Sequence, residues 1–307
     1  TAVTLLPSMA SAAAHITLLQ RSPTYLYARP SSDFIANGLR AVLPEKFAYR
    51  LIRAKNILIG LLQFNLATKL PWLTKKWLIT RIKNTLGAGY DVATDFTPRY
   101  NPWDQRVCLV PDGDFFDSLK SGKASIATGH IERFVENGIL LKSGRLLPAD
   151  MVVSATGLKM EIMSGLELRV DGKPIDLADT ISYKGCMYSG IPNLASSFGY
   201  SNASWTLKSD LIGEYVCRLL KHMQETGQDY CMPIAHAVEP SDAALMNLES
   251  GYVQRSAHRL PKQGAKNPWL TLHNYLQDTV LLRHARIDDD ALRFGKAGQI
   301  AVPADTV

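Results

Sequence analysis

The stretch TAVTLLPSMASAAAHITLLQRSP, residues 1–23, decides how the chain should be read. Its start is rich in Ala and small apolar residues, which favours a helix over residues 2–13, although Pro7 lacks the N–H that a helix interior uses. HITLLQ, residues 15–20, is a short apolar run with β-branched residues, bounded by Arg21, Ser22 and Pro23, and predicts a buried strand. A helix feeding a strand is the second half of a βαβ unit, a geometry that binds nucleotides when another strand precedes it. An arginine directly after the second strand of such a unit is placed to meet a 2′-phosphate, where an acid would favour a free ribose hydroxyl. Arg21 and Ser22 supply a planar fork of donors and a hydroxyl for that purpose. Taken alone, the pair reads more simply as a surface arginine at a strand end.

Outward from this start, residues 34–87 are helical by pattern, in three segments punctuated by Pro44 and Pro71. The middle segment, residues 47–68, is basic in its first half and carries ILIGLLQFNL in its second. Ten residues with two amides and a glycine fall short of the about twenty that span a bilayer. An interfacial or core-packing helix fits better. Residues 90–122 are turn-rich. KASIAT, HIERFVENG and ILLKSGRLL then alternate in short runs joined by Asn137-Gly138 and Ser143-Gly144, a strong hairpin signal. ADMVVSATG predicts an apolar strand ending at Ala155-Thr156-Gly157, whose small side chains allow close approach. LELRVDGKPI is β-rich, and PNLASSFGY is expected to end another strand.

The run SWTLKSDLIGEYVCRLLKHMQETG reads as an amphipathic helix with Leu207, Leu211, Tyr215 and Leu219 on one face, stopped by Gly227. The small polar loop before it, with Asn202, Trp205 and Thr206, leads into a helix N-terminus whose free N–H groups suit an anion or a carbonyl. Ordinary capping by Ser204 or Asn202 is compatible with that use. Arg106 lies in an aromatic, acid-rich loop, YNPWDQR, where it can stabilise a developing anion or pair with Asp104 or Asp112. No fold is predicted beyond residue 228.

The 307 residues, 46% hydrophobic and 20% charged, describe a folded protein and exclude disordered, collagen-like and mucin-like classes. Cys108, Cys186, Cys217 and Cys231 are widely spaced, with no CxxC pair and no Cys/His cluster, so neither a disulfide scaffold nor a metal site is predicted and a cytoplasmic location is the default. The net charge of +6 is uneven: residues 34–89 hold ten Lys and Arg against the single acid Glu45, a local +9 that leaves −3 elsewhere. A nucleic-acid-binding chain is therefore not implied. A peripheral membrane contact through residues 34–89 is the alternative, since anionic lipid attracts such clusters, and against it stands a helical excursion covering a cleft with its cations solvated.

In order, TAVTLLPSMA, LLQRSPTY, YNPWDQRVCLVPDGDFF, ASIATGHIERF, ADMVVSATGL, YKGCMYSGIPNLASSFGYSNASWTLKSDLIGEYVCRLL and GYVQRSAHRLPKQGAKNPW resemble the class B flavin-dependent monooxygenases. That group holds the flavin-containing and Baeyer–Villiger monooxygenases, and the likeness is to the bacterial branch with the ethionamide-activating enzymes. The resemblance implies an α/β fold of two dinucleotide-binding, Rossmann-like domains, both incomplete here, with a helical insertion. Residues 1–33 and 90–150 would be a partial NADPH domain, 34–89 the insertion, 151–228 the C-terminal part of the FAD domain and 229–307 an extension. It also implies the cofactors FAD and NADPH and the co-substrate O2. A flavin peroxide would insert one oxygen atom into a ketone or pass it to a thioether or amine. A flavin-dependent reductase without oxygenation is the nearer alternative.

Matched position by position, Thr1 and Ala2 would end the NADPH phosphate loop, and Arg21 and Ser22 would hold the 2′-phosphate. Thr156 and Gly157 match the turn returning to the FAD domain, and Asn202, Trp205 and Thr206 match the region beneath the flavin ring. Arg106 would stabilise the peroxyflavin anion. The family's glycine-rich flavin fingerprint is expected upstream of Thr1, so the chain is expected to be the back part of a longer enzyme and inactive alone.

Overall fold

A computed structural model describes residues 1–105, 107–160, 162–241, 245 and 250–298. The chain divides into two compact units, Thr1–Gly157 and Leu158–Val307.

The first unit opens with helix α1, Ala2–Met9, which turns its Leu6 inward. The helix stops short of the predicted residue 13. Pro7 sits inside it and removes one backbone donor, and the chain leaves the helix two residues later. Strand β1, Ile16–Gln20, follows, then β2, Leu26–Arg29. The helical excursion is built from α2, Phe34–Val42, α3, Glu45–Lys69, and α4, Pro71–Leu86, and the short α5, Val92–Phe96, follows it. Strand β3, Cys108–Pro111, helix α6, Asp114–Lys120, and β4, Ala124–Thr128, come next. Strands β5, Ile131–Val135, β6, Gly138–Leu141, and β7, Leu146–Pro148, close the unit as an antiparallel meander.

Two parallel pairs organise this unit. β1 lies beside β4, from Ile16 against Ala124 to Gln20 against Thr128, and β2 lies beside β3. Parallel neighbours need a crossover connection, and the helices supply it. One apolar cluster joins Leu6 of α1, Ile82 of α4, Phe96 of α5, Phe115 and Phe116 of α6 and Ile126 of β4. The excursion is therefore anchored in the core through α4, whereas α2 and α3 share a separate small cluster of Ala36, Ala48 and Ile52. Segments of the region read as turn-rich form α5, β3 and α6; Phe96, Phe115 and Phe116 pack there as an aromatic trio too short in sequence to show a period.

The stretch expected to be an apolar strand, residues 150–157, carries no strand. Met151, Val152 and Val153 are exposed, and among the described residues no partner strand offers them a hydrogen-bonding edge. Residues 192–200 likewise end no strand.

In the second unit β8, Leu168–Val170, and β9, Lys173–Ile175, form the hairpin read in LELRVDGKPI. Strands β10, Ser182–Tyr183, and β11, Met187–Tyr188, pair antiparallel, and the long helix α7, Trp205–Thr226, ends at Gly227 with a positive φ of 66°. After it come β12, Tyr230–Pro233, β13, Pro240–Ser241, α8, Gly251–Ser256, β14, Gln263–Gly264, α9, Tyr275–Thr279, and β15, Leu292–Gly295. β12 pairs with β15, and Leu211, Tyr215 and Leu219 of α7 pack into the main core.

Gly138 gives a direct test of the meander. Its φ is 148°, and a Cβ there would lie 2.1 Å from the carbonyl oxygen of Leu147. Gly138→Ala is expected to lower unfolding stability by about 2 kcal/mol or more in urea titration, and an unchanged midpoint would remove this reading of the turn.

Candidate cofactor-binding site

The edge where β1 and β4 end is the structurally distinct part of the first unit. α1 packs against β1, and residues 10–15 connect the two. Thr1 is the N-cap of α1, but its hydroxyl makes no capping bond, and Ala2 is the first helical residue. Arg21 and Ser22 form an exposed bend immediately after β1. Neither an ion pair nor a hydrogen bond engages the Arg21 guanidinium among the described residues. Thr1, Ala2, Arg21 and Ser22 thus belong to one unit.

Behind that bend the edge is closed by a polar chain that sequence reading did not find. Gln20 Nε2 donates to the Thr128 hydroxyl and to the backbone carbonyl of Asp95, both at 2.8 Å. The Thr128 hydroxyl donates in turn to the Asp95 carboxylate at 2.8 Å. Burial raises the Asp95 carboxyl pKa above the ordinary carboxylate value, partly offset by the Thr128 hydrogen bond. The bend's far side is pinned as well. Tyr25 is fully buried and donates to the Tyr100 carbonyl at 2.7 Å, and the Tyr100 hydroxyl donates to Thr24 at 3.0 Å.

Thr156 and Gly157 are exposed in the irregular end of the first unit, where Gly157 takes a φ of 99°. Asn202, Trp205 and Thr206 belong to the second unit. The Ser204 hydroxyl does not cap α7; it lies 2.8 Å from that of Thr206. Asn202 is not a cap either, because its Nδ2 donates to the His273 carbonyl at 3.0 Å. The first turn of α7 therefore keeps its N–H groups free of side-chain caps, which favours an anion or carbonyl there. Trp205 packs on Phe198 with centroids 5.2 Å apart, and a Cβ on Gly199 would fall 2.2 Å from its ring, so Gly199 is what lets the indole lie flat against the loop. Arg106 lies outside the described residues.

One turn into α7, Lys208 is buried and donates to Asp278 of α9 at 2.7 Å, both side chains being 3% exposed. Its ammonium stands 5.4 Å from the Tyr200 ring centroid, and burial together with the nearby Asp278 charge pushes the Tyr200 phenol far above its ordinary value. Burial lowers the pKa of His273, whose Nε2 donates to the Leu245 carbonyl. The signal for Lys208 was present in the sequence, since it falls three, four and seven residues before Leu211, Ile212 and Tyr215 on the apolar face. Asp278, seventy residues on, had no such signal.

No protein-family profile matches the chain. The chain is 47% identical over 297 residues to the FAD-containing monooxygenase EthA of Mycobacterium tuberculosis, covering 96% of this chain and 61% of that protein. It is 48% identical over 298 residues to the probable FAD-binding monooxygenase AlmA of Acinetobacter baylyi, covering 96% and 60%. Among solved structures it is similar to oxidised steroid monooxygenase bound to NADP, with a TM-score of 0.67 at 16% identity over 96% of this chain and 64% of that one. A complex of OTEMO with FAD and NADP gives 0.57 at 15% identity over 75% and 51%. The mixed helix-and-strand architecture is thus similar to that of these monooxygenase structures. The chain spans about three fifths of the length of these curated relatives.

The buried pair tests the second unit. Lys208→Met leaves Asp278 uncompensated and is expected to cost about 3–5 kcal/mol of unfolding stability, most of it recovered by adding Asp278→Leu. If the double variant is no more stable than the single one, the ion pair is not the source of the loss.

Proposed function

We propose that the chain contributes to an FAD- and NADPH-dependent monooxygenase that places one oxygen atom of O2 into a ketone or onto a thioether or amine. The observation that carries this reading is the 47% identity to an FAD-containing monooxygenase across 96% of the chain. The edge at Arg21 supports the nucleotide part. An exposed guanidinium without an ion-pair partner among the described residues, a neighbouring hydroxyl and a helix start suit a phosphorylated ribose and a pyrophosphate. When bound, NADPH supplies hydride and the flavin supplies the chemistry that activates O2. Arg21 and Ser22 would hold the 2′-phosphate, and the helix start at Thr1 and Ala2 would face the pyrophosphate. Thr156 and Gly157 would give the narrow return toward the flavin side. Asn202, Trp205 and Thr206 would lie under the flavin ring, with Trp205 excluding water. Arg106 is assigned to stabilise developing negative charge near the oxygen-transferring centre.

The decisive measurement is NADPH consumption by the full-length protein supplied with FAD and screened against ketones and thioethers. Substrate-dependent oxidation with a product heavier by one oxygen is expected, whereas oxidation of NADPH with no oxygenated product would favour a reductase. Arg21→Ala is expected to weaken NADPH binding by roughly tenfold or more while sparing NADH, because it removes a charge-assisted bond to the phosphate alone.

A second reading concerns the helical excursion. Leu58, Leu62, Leu66, Trp72 and Trp77 of α3 and α4 are exposed, in a segment of local charge +9. No described helix is long and apolar enough to cross a membrane. The combination of exposed indoles, leucines and cations suits the surface of an anionic bilayer, where each Lys or Arg contributes about 1 kcal/mol. Flotation with phosphatidylserine vesicles is expected to carry the intact protein and not a variant lacking residues 34–89; equal flotation of both, or of neither, discards the membrane contact.

A further inference from the structure

The bend that carries Arg21 is held from both sides by hydrogen bonds of neighbouring residues. On the strand side, Gln20 is the last rung of the parallel ladder, paired with Thr128. Its carbonyl accepts from the Gly129 N–H at 2.9 Å, and its side chain reaches both Thr128 and Asp95. The direction of this chain is set by chemistry. An amide N–H can only donate, a carboxylate can only accept, and the Thr128 hydroxyl does both between them. On the other side, buried Tyr25 and its bond to Tyr100 hold the chain four residues beyond Arg21, and Pro23 restricts the backbone between. Arg21 and Ser22 thus sit on a short bridge whose two ends cannot shift independently of the sheet.

We propose that Gln20, Thr128 and Asp95 are positioning residues that pre-set the Arg21–Ser22 bend for the 2′-phosphate and so fix the preference for NADPH over NADH. The inference rests on the reading of Arg21 and Ser22 as the phosphate site. A phosphate asks for several donors held in one geometry at once, so freedom in the bend weakens it. The ribose hydroxyl of NADH makes no such demand on Arg21. Thr128 is the point at which the two cases separate most cleanly. Thr128→Val keeps the shape and strand preference but breaks both bonds of the hydroxyl, whereas Thr128→Ser keeps the hydroxyl.

The test is calorimetric titration of NADP+ and of NAD+ into the full-length protein and its variants, so that binding is read apart from turnover. In Thr128→Val the dissociation constant for NADP+ is expected to rise roughly fivefold, that for NAD+ to stay unchanged, and Thr128→Ser to restore the parental ratio. Gln20→Met, which breaks the same chain from its other end, is expected to repeat the effect and replaces Thr128→Val should that variant fold poorly. Equal weakening of both nucleotides, or an unchanged ratio in both variants, overturns the positioning role while leaving the phosphate site standing. A parental protein with no preference for NADP+ overturns the phosphate site, and the positioning role with it.

Discussion

The geometry of the Arg21–Ser22 bend depends on the parallel pairing of β1 with β4. Parallel strands bring their carboxyl ends to one edge, and the register from Ile16–Ala124 to Gln20–Thr128 places the end of each strand level with the other. Because the ladder stops at Gln20, the next residues are released from strand geometry and can present side chains outward. Because Gln20 is also tied laterally to Asp95, that release is confined to a short bend. The same tie links α5, at the exit of the helical excursion, to the sheet edge, so the long departure between β2 and β3 returns to a defined place.

The second unit is organised by a different constraint, the burial of charge. Lys208 and Asp278 are both almost completely shielded, and neither is tolerable there alone. Lys184 repeats the arrangement, buried against Asp289 at 2.9 Å with its ammonium 4.9 Å from the Tyr183 and Tyr215 ring centroids. Cys186 is buried close to both lysines, and its thiol is nevertheless pushed up to about 12 because desolvation outweighs their field. These pairs tie β10, α7, α9 and the segment before β15 into one body. They also bring the start of α7, where Trp205 and Thr206 lie, under the same restraint, since Lys208 is only one turn further along the helix.

Much of this arrangement was readable before any coordinates. The helix-then-strand start, the three helices of the excursion, the two hairpins at Asn137-Gly138 and Ser143-Gly144 and the stop of α7 at Gly227 are all local events. Each follows from a turn residue, a proline or a repeat of apolar positions within a few residues. The misses share a cause too. ADMVVSATG is apolar and strand-like by composition, yet a strand exists only with a neighbour, and that neighbour is not a local property. β2, β3 and α6 are short and lack a clear period, and they are specified by an aromatic cluster drawn from separated parts of the chain. Pro7 lies within the first helix, and where that helix stops depends also on the turn that follows it.

The amino-acid sequence by itself determined the mixture of helix and strand, the uneven charge and the residue types at each expected site, because these depend on neighbours within about ten positions. It also determined that Arg21 and Ser22 follow a strand, which is a matter of chain order. Only the tertiary structure decided which groups stand behind them. Asp95 and Thr128 lie 75 and 108 positions beyond Gln20 in the chain, and the hydrogen bonds among them exist because a parallel ladder and a helical excursion close on the same edge. Short-range preference can propose a donor, but three-dimensional closure supplies its acceptor, because the acceptor is distant in the chain.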